Sequence, residues 1–409
     1  MTRPSGLHIG HILGAAGLLA LPLEVFSWPS VTPVMVAAAL AALACGGWRW
    51  SLLPRWLAAL CLLLLLYGAA SVSWSLEPLG SLRLAAQLLG TFVAGLVLVD
   101  AARGLAPEER EISEKGLVLG FLIGLALLEI MLLTRARLVD YVRDLPLLAP
   151  VIGHQRPFYF PVGFDPAMTL VVLLSWPCVR FAWRRYGAAA AIALAGVAFA
   201  IVLQSESMTA KFAFALGIAV CVCARLAPRV AVAVVAATLI LWVVAAPLIL
   251  RPEVLGWLPQ ALPVKAPKQS SLTHRLGIWS FVIERIDERP VLGWGFDSSR
   301  WMPGGHEAFK RNAELLPLHP HDAALQLRLD LGIPGVVLGV SFVLALFRAI
   351  AGSPGDADER ALQLAFAVAA FVFAAFSYNL WHVWWLTMLW LGSTFMLAGA
   401  RAGPDETRE

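Results

Sequence analysis

Long apolar runs, broken by short polar or Pro/Gly-containing stretches, fill most of this 409-residue chain. A membrane-crossing helix takes about 20 predominantly apolar residues, because lipid offers its backbone no hydrogen-bond partners. On that basis the pattern predicts twelve spans, at 7–25, 31–47, 54–71, 82–100, 115–134, 166–183, 187–203, 208–226, 229–250, 331–350, 360–377 and 380–399. The expected fold is all-α: a polytopic membrane helix bundle of about 12 transmembrane helices, forming one integral membrane domain over 1–409. The one long polar stretch, 251–330, falls between the ninth and tenth runs as a large loop expected to contain short helices.

Composition agrees with this pattern. The chain is 59% hydrophobic and 14% charged, whereas a soluble domain carries about 25% charged residues. The first run has no Ala-x-Ala-like cleavage site and further spans come after it, so it reads as a retained helix. The net charge of +4 is small and dispersed, and no nucleic-acid partner is expected. Cys45, Cys61, Cys178, Cys221 and Cys223 all lie in or at the ends of apolar runs, which gives neither a disulfide framework nor a zinc cluster.

Lys and Arg in short loops set orientation. With the N-terminus inside, the inner loops collect Arg49, Arg55, Arg103, Arg110, Lys115, Arg180, Arg184, Arg185, Arg225, Arg229, Arg348 and Arg360. The outer loops around 26–30, 204–207 and 378–379 contain no Lys or Arg. The longer 135–165 loop departs from the rule with Arg135, Arg137, Arg143 and Arg156. Both termini are therefore expected in the cytoplasm and 251–330 outside. No internal repeat is apparent, and Asp356-Ala357-Asp358 reads as a solvated turn, not a metal site.

The polar loop carries the candidate chemistry. Its early prolines, Pro252, Pro259, Pro263 and Pro267, exclude one continuous helix. Ser270, Ser271 and Thr273 then offer N-caps for a helix that Pro290 ends. Between them Trp279, Val282, Ile283 and Ile286 repeat at helical spacing as one apolar stripe. One turn back along the stripe lies Arg275, a cation on the buried face that must find an anion or acceptors. A structural salt bridge and an anion-binding site both satisfy that requirement.

Leu292-Gly293-Trp294-Gly295-Phe296 comes next as a glycine turn able to approach another backbone closely. Further on stands His319-Pro320-His321-Asp322, with Asp322 placed as an N-cap for Leu325-Gln326 and the run beyond Leu331-Gly332-Ile333-Pro334-Gly335. An imidazole at that boundary, with an ordinary pKa of about 6.5, is neutral enough at pH 7 to accept a proton. His321 is accordingly the candidate base. Whether Asp322 raises its pKa or only caps the helix is left open.

These motifs together resemble the O-antigen ligase and polymerase superfamily. Gln204-Ser205-Glu206-Ser207-Met208-Thr209-Ala210 resembles the Ser-rich start of its conserved region. The segment from Ser271 through Arg275 and Trp279 to Pro290-x2-Gly293-x-Gly295 is similar to its Arg-x3-Trp and glycine block. His319-Pro320-His321-Asp322, Leu325-Gln326 and Leu331–Gly335 resemble its His-x-His-Asn block. More loosely, Arg156-Pro157 and Phe164-Asp165-Pro166-Ala167 are similar to its Asn-Pro-Asn motif. Two positions depart: Asp322 stands where the family has Asn, and Lys211 is the nearest cation where it has Arg. Lys211 lies about one turn into a span, where a charge is functional by default, although snorkelling or pairing with Glu206 would also accommodate it.

The resemblance implies a conserved region at 203–345 and a periplasmic catalytic loop at 251–330. It implies a cofactor-free, metal-independent, inverting glycosyltransferase of the bacterial inner membrane, taking a glycan from undecaprenyl-pyrophosphate at the periplasmic face. Arg275, Arg156 and Lys211 would then bind the pyrophosphate, His321 would be the base, and His319, Asp322 and Trp279 would support them. An O-antigen ligase with lipid A core as acceptor is the first reading, and a repeat-unit polymerase using a glycan acceptor is the alternative. A non-enzymatic transporter of lipid-linked sugars ranks third. It would need repeated halves and charges along a central path, and Lys211 is the one clearly intramembrane charge expected in spans six to twelve.

Overall fold

The computed structural model describes residues 8–27, 30–50, 52–135, 137, 164–257, 266–310, 313–353 and 355–398. Each apolar run in the sequence corresponds to a helix. The first nine are α1 (Ile9–Phe26), α2 (Val31–Ala44), α3 (Arg55–Ser71), α4 (Pro78–Arg103), α5 (Pro107–Leu133), α6 (Asp165–Tyr186), α7 (Ala188–Gln204), α8 (Met208–Leu226) and α9 (Pro228–Ile249). After the polar loop and its helix α10 (Ala266–Glu288) come α11 (Ala323–Ala351), α12 (Ala357–Phe376) and α13 (Val383–Ala398). Nine of the described helices are long and apolar enough to cross a membrane, while α2, α7 and α13 are shorter apolar helices. Proline opens α4, α5 and α9, where its missing N–H removes nothing from the helical ladder. The fold is that of an all-α polytopic membrane protein. Among the described residues the only strands are the short antiparallel pair Ala308–Lys310 and Ala313–Glu314.

Small residues let the helices approach closely. α1 packs along α5, and a Cβ on Gly116 would stand 2.3 Å from the Gly14 carbonyl oxygen. Close backbone approach of this kind replaces the hydrophobic driving force that lipid does not supply. Elsewhere α8 packs on α12, α9 on α11, and α4 on α13.

In the polar loop, α10 begins at Ala266, upstream of the expected caps. Ser270, Ser271 and Thr273 therefore lie inside the helix, and Pro267 is tolerated in its first turn. Its end at Glu288 respects Pro290. The stripe is buried as the spacing requires, with Trp279 at 4% exposure and Val282 at 0%.

Helix α11 starts directly after Asp322 and is longer than the predicted 331–350. It is broken at Gly332, whose backbone (φ 61°, ψ −145°) is inaccessible to most L-residues. A Cβ there would lie 2.2 Å from the Val291 carbonyl oxygen. The glycine turn seats in this break: Ile333 donates to Val291, Trp294 to Leu329 and Gly295 to Asp330, each at 2.9 Å. The two glycine motifs are thus one joint.

Several charges sit differently from the expectation. Lys211 is not the one intramembrane charge of the later helices: Arg180 and Asp330 lie within α6 and α11 and are buried to 2% and 0% exposure. Arg180 is not a loop cation. It donates to the carbonyls of Phe395 and Met396 and faces Glu114 and Glu359. Asp356 caps α12 by accepting from the Glu359 amide, and Asp358 pairs with Arg225 at 2.8 Å, so this motif is a built helix start, not a solvated turn.

Candidate active site

The stripe on α10 positions the histidine motif. The Trp279 indole donates to the Pro320 carbonyl at 3.0 Å, which fastens the His-Pro-His segment against the helix. Asp322 closes the other end, accepting from the Leu325 amide at 2.7 Å and the Trp242 indole at 2.9 Å. Both carboxylate oxygens are used, so Asp322 acts as a cap. Burial pushes its pKa up to about 6 against those hydrogen bonds.

His321 adopts φ 57°, a left-handed conformation that costs a non-glycine residue about 1 kcal/mol or more. Its Nδ1 lies 3.0 Å from the Ser377 carbonyl oxygen. A carbonyl only accepts, so Nδ1 carries the hydrogen, and the neutral ring keeps its lone pair on Nε2. Burial holds the His321 pKa down to about 4; the Ser377 hydrogen bond opposes this, and the charge of Arg275 adds to it. The ring is neutral at pH 7. His319 stands beside it, 4.1 Å between ring centroids, and its Nδ1 accepts from the His321 amide. Burial, reinforced by His321, His382, Arg300 and Arg275, lowers His319 to about 2.

Arg275 donates through Nη1 to the Phe376 carbonyl at 2.6 Å. No carboxylate among the described residues forms an ion pair with it, and burial alone pulls its pKa below the ordinary value. Among the described residues this half-buried cation has an acceptor and no counter-ion. The structural salt bridge therefore has no support among the described residues.

The backbone that receives both groups is itself held. Gln326 accepts from the Leu380 amide at 2.8 Å and donates to Asn379 at 3.0 Å, while the Trp381 indole donates to Asp330 at 2.7 Å. The first turns of α11 therefore fix the 376–382 connection, and with it the two carbonyls. Sequence reasoning missed that connection and two side chains near it. Arg300 donates to His382 Nε2 at 3.0 Å, and the His382 ring lies 5.7 Å from that of His319. Asp297-Ser298-Ser299-Arg300 directly after the glycine turn and a histidine between the last two runs were the available signals.

Not every proposed binding residue joins the cluster. Lys211 lies half-buried in the first turn of α8, and the cation bearing on His321 is Arg275. Arg156 lies outside the described residues.

A polytopic α-helical membrane protein with a histidine–arginine site at one end of its bundle is the class these features define. Residues 189–340 match the family described as "O-Antigen ligase". A Rickettsia conorii protein named "Putative polysaccharide ligase" is 37% identical over 134 residues, covering 32% of this chain and 32% of the relative. A protein of the same name from Rickettsia prowazekii is 37% identical over 139 residues, covering 32% of this chain and 34% of its own. Over residues 189–340 the chain is thus similar to the O-antigen ligase family, in the region where its motifs lie. The shared stretch spans about a third of the curated relatives it matches. The family match takes in Arg275, Arg300 and the histidine motif, but not Ser377 or His382.

Proposed function

We propose that this protein is a glycosyltransferase that moves a glycan from an undecaprenyl-pyrophosphate carrier to an acceptor hydroxyl at the periplasmic face of the bacterial inner membrane. The observation that carries the reading is the half-buried Arg275 guanidinium, held on a carbonyl with no carboxylate partner among the described residues, beside a His321 ring whose Nε2 is left as acceptor. A half-buried cation without an anion suits a ligand that brings its own negative charge.

In this reading His321 Nε2 takes the proton from the acceptor hydroxyl. The oxygen attacks the anomeric carbon, the bond from that carbon to the phosphate oxygen breaks, and undecaprenyl pyrophosphate leaves. Attack opposite the leaving group inverts the configuration. Arg275 stabilises the charge that develops on the departing pyrophosphate, with Arg156 as a further candidate for it. Because arginine supplies the positive charge, the step is written without a metal. Buried charges elsewhere meet local partners, Arg180 with Glu114 and Glu359 and Asp330 with the Trp381 indole, as fixed structural contacts do, which favours an enzyme over a transporter. The names of the matched relatives favour a polysaccharide ligase, and lipid A core is the proposed acceptor.

Reconstituted protein given undecaprenyl-pyrophosphate glycan and lipid A core should form ligated product and release undecaprenyl pyrophosphate. Product from a glycan acceptor instead would assign the polymerase branch. Absence of product with both acceptors would contradict the enzyme reading.

A further inference from the structure

Arg300 is presented more rigidly than a loop arginine ordinarily is. It sits in the short turn Ser298–Trp301, where Ser298 Oγ donates to Trp294 O at 2.7 Å and Ser299 Oγ to Leu318 O at 3.3 Å. Both serines are fully buried. The turn begins after Asp297, a non-glycine residue at φ 57° whose carboxylate lies 3.6 Å from Arg300 Nε.

A guanidinium only donates, so His382 Nε2 must accept from Arg300 and His382 Nδ1 must carry the hydrogen. That Nδ1–H is buried and has no hydrogen-bond partner among the described residues. An unmet buried donor is unfavourable. His319 lies between the two halves of the cluster, 4.1 Å from the His321 ring and 5.7 Å from the His382 ring. The charges of both Arg275 and Arg300 bear on it. Two guanidinium groups therefore act on the one histidine cluster, each anchored by the protein.

We infer that Arg300 is a second phosphate-binding residue of this site, positioned by His382, so that the site grips a pyrophosphate through two arms, Arg275 on one phosphate and Arg300 on the other. Each phosphate can take a charge-assisted pair of hydrogen bonds from one guanidinium fork. This inference rests on the lipid-pyrophosphate donor proposed above.

The test compares two lipids that differ by one phosphate, undecaprenyl pyrophosphate and undecaprenyl phosphate, binding to the purified full chain in detergent. The wild type should prefer the pyrophosphate by roughly tenfold or more, the scale of one charge-assisted contact. Arg300→Ala should remove that preference by weakening pyrophosphate binding while leaving monophosphate binding within about twofold. Arg300→Lys should restore part of the preference, because it returns the charge without the fork. A preference unchanged in Arg300→Ala, or equal weakening for both lipids, would overturn the second arm. Arg275→Ala separates the two levels. If it loses pyrophosphate binding while Arg300→Ala does not, the donor reading stands and the second arm falls. If the wild type binds neither lipid, both fall together.

Discussion

Arg275 and His321 are keyed to consecutive backbone carbonyls: the guanidinium donates to Phe376 O at 2.6 Å and the imidazole Nδ1 meets Ser377 O at 3.0 Å. One short piece of backbone between α12 and α13 therefore sets the spacing of the proposed base and the proposed anion binder. A lysine at position 275 could keep the charge but not the geometry, since a single ammonium cannot hold the carbonyl and a phosphate in one plane. Arg275→Lys is expected to lose about 10²-fold or more in kcat, close to the loss in Arg275→Ala. Steady-state transfer rates at matched protein levels check this, and near-full activity in the lysine variant would contradict it.

The strained backbone of His321 separates function from stability. Its φ of 57° favours glycine, so in His321→Gly the backbone relief of about 1 kcal/mol should offset the lost Ser377 hydrogen bond and leave stability near that of wild type. The same variant should lose transfer by about 10²–10⁴-fold, the usual contribution of a general base. Thermal unfolding in detergent, measured alongside activity, tests both halves. A variant that is inactive only because it unfolds would contradict the prediction.

The pH dependence is set by the direction of the His321 shift. A base must be neutral to act, so activity is present above the imidazole pKa and is lost as pH falls through it. Burial lowers that pKa to about 4 in the free protein, with Arg275 acting in the same direction. The acid limb of kcat/KM should accordingly lie well below pH 6. In the residual activity of Arg275→Gln it should move upward. In Asp322→Asn it should stay in place, because both Asp322 oxygens face Leu325 and Trp242 instead of the His321 ring. A limb that shifts in Asp322→Asn would show that the neighbouring charge does act on the base.

Much of this was legible in the sequence. Helix positions came from apolar run length, and the stripe of Trp279, Val282, Ile283 and Ile286 located the buried face of α10 and put Arg275 on it. The cap at Asp322 could be read from residue type and position. The features that escaped were set by tertiary contact. The start of α10 at Ala266 overrode the serine caps, since Pro267 is as good a first-turn residue as Ser270 is a cap. Arg180 reads as an inner-loop cation, yet it is buried because Glu114 and Glu359, from two other helices, meet it there. The carbonyls of Phe376 and Ser377 carry no signature in sequence at all, because any residue could supply them. His382 became visible only once α12 and α13 brought their connection beside His319.

The close seam between α1 and α5 gives a stability prediction independent of the chemistry. Gly116 admits no side chain, its Cβ position being 2.3 Å from Gly14 O, and Gly120 is equally tight at 2.4 Å from Gly17 O. Overpacking of this kind typically costs about 1–3 kcal/mol. Gly116→Ala should lower the unfolding temperature in detergent, whereas Ala at Gly196, which has open space around it, should not. Equal unfolding temperatures for the two would contradict the packing described.

The most direct test is glycan transfer in membranes that contain wild type, His321→Ala or Arg275→Ala at equal protein levels. Undecaprenyl-pyrophosphate glycan is the donor, with lipid A core and glycan offered as separate acceptors. Wild type should transfer to lipid A core, and both variants should lose that activity by at least about 10²-fold. Full transfer in both variants would contradict the site assigned to His321 and Arg275, and with it the account of how this protein acts.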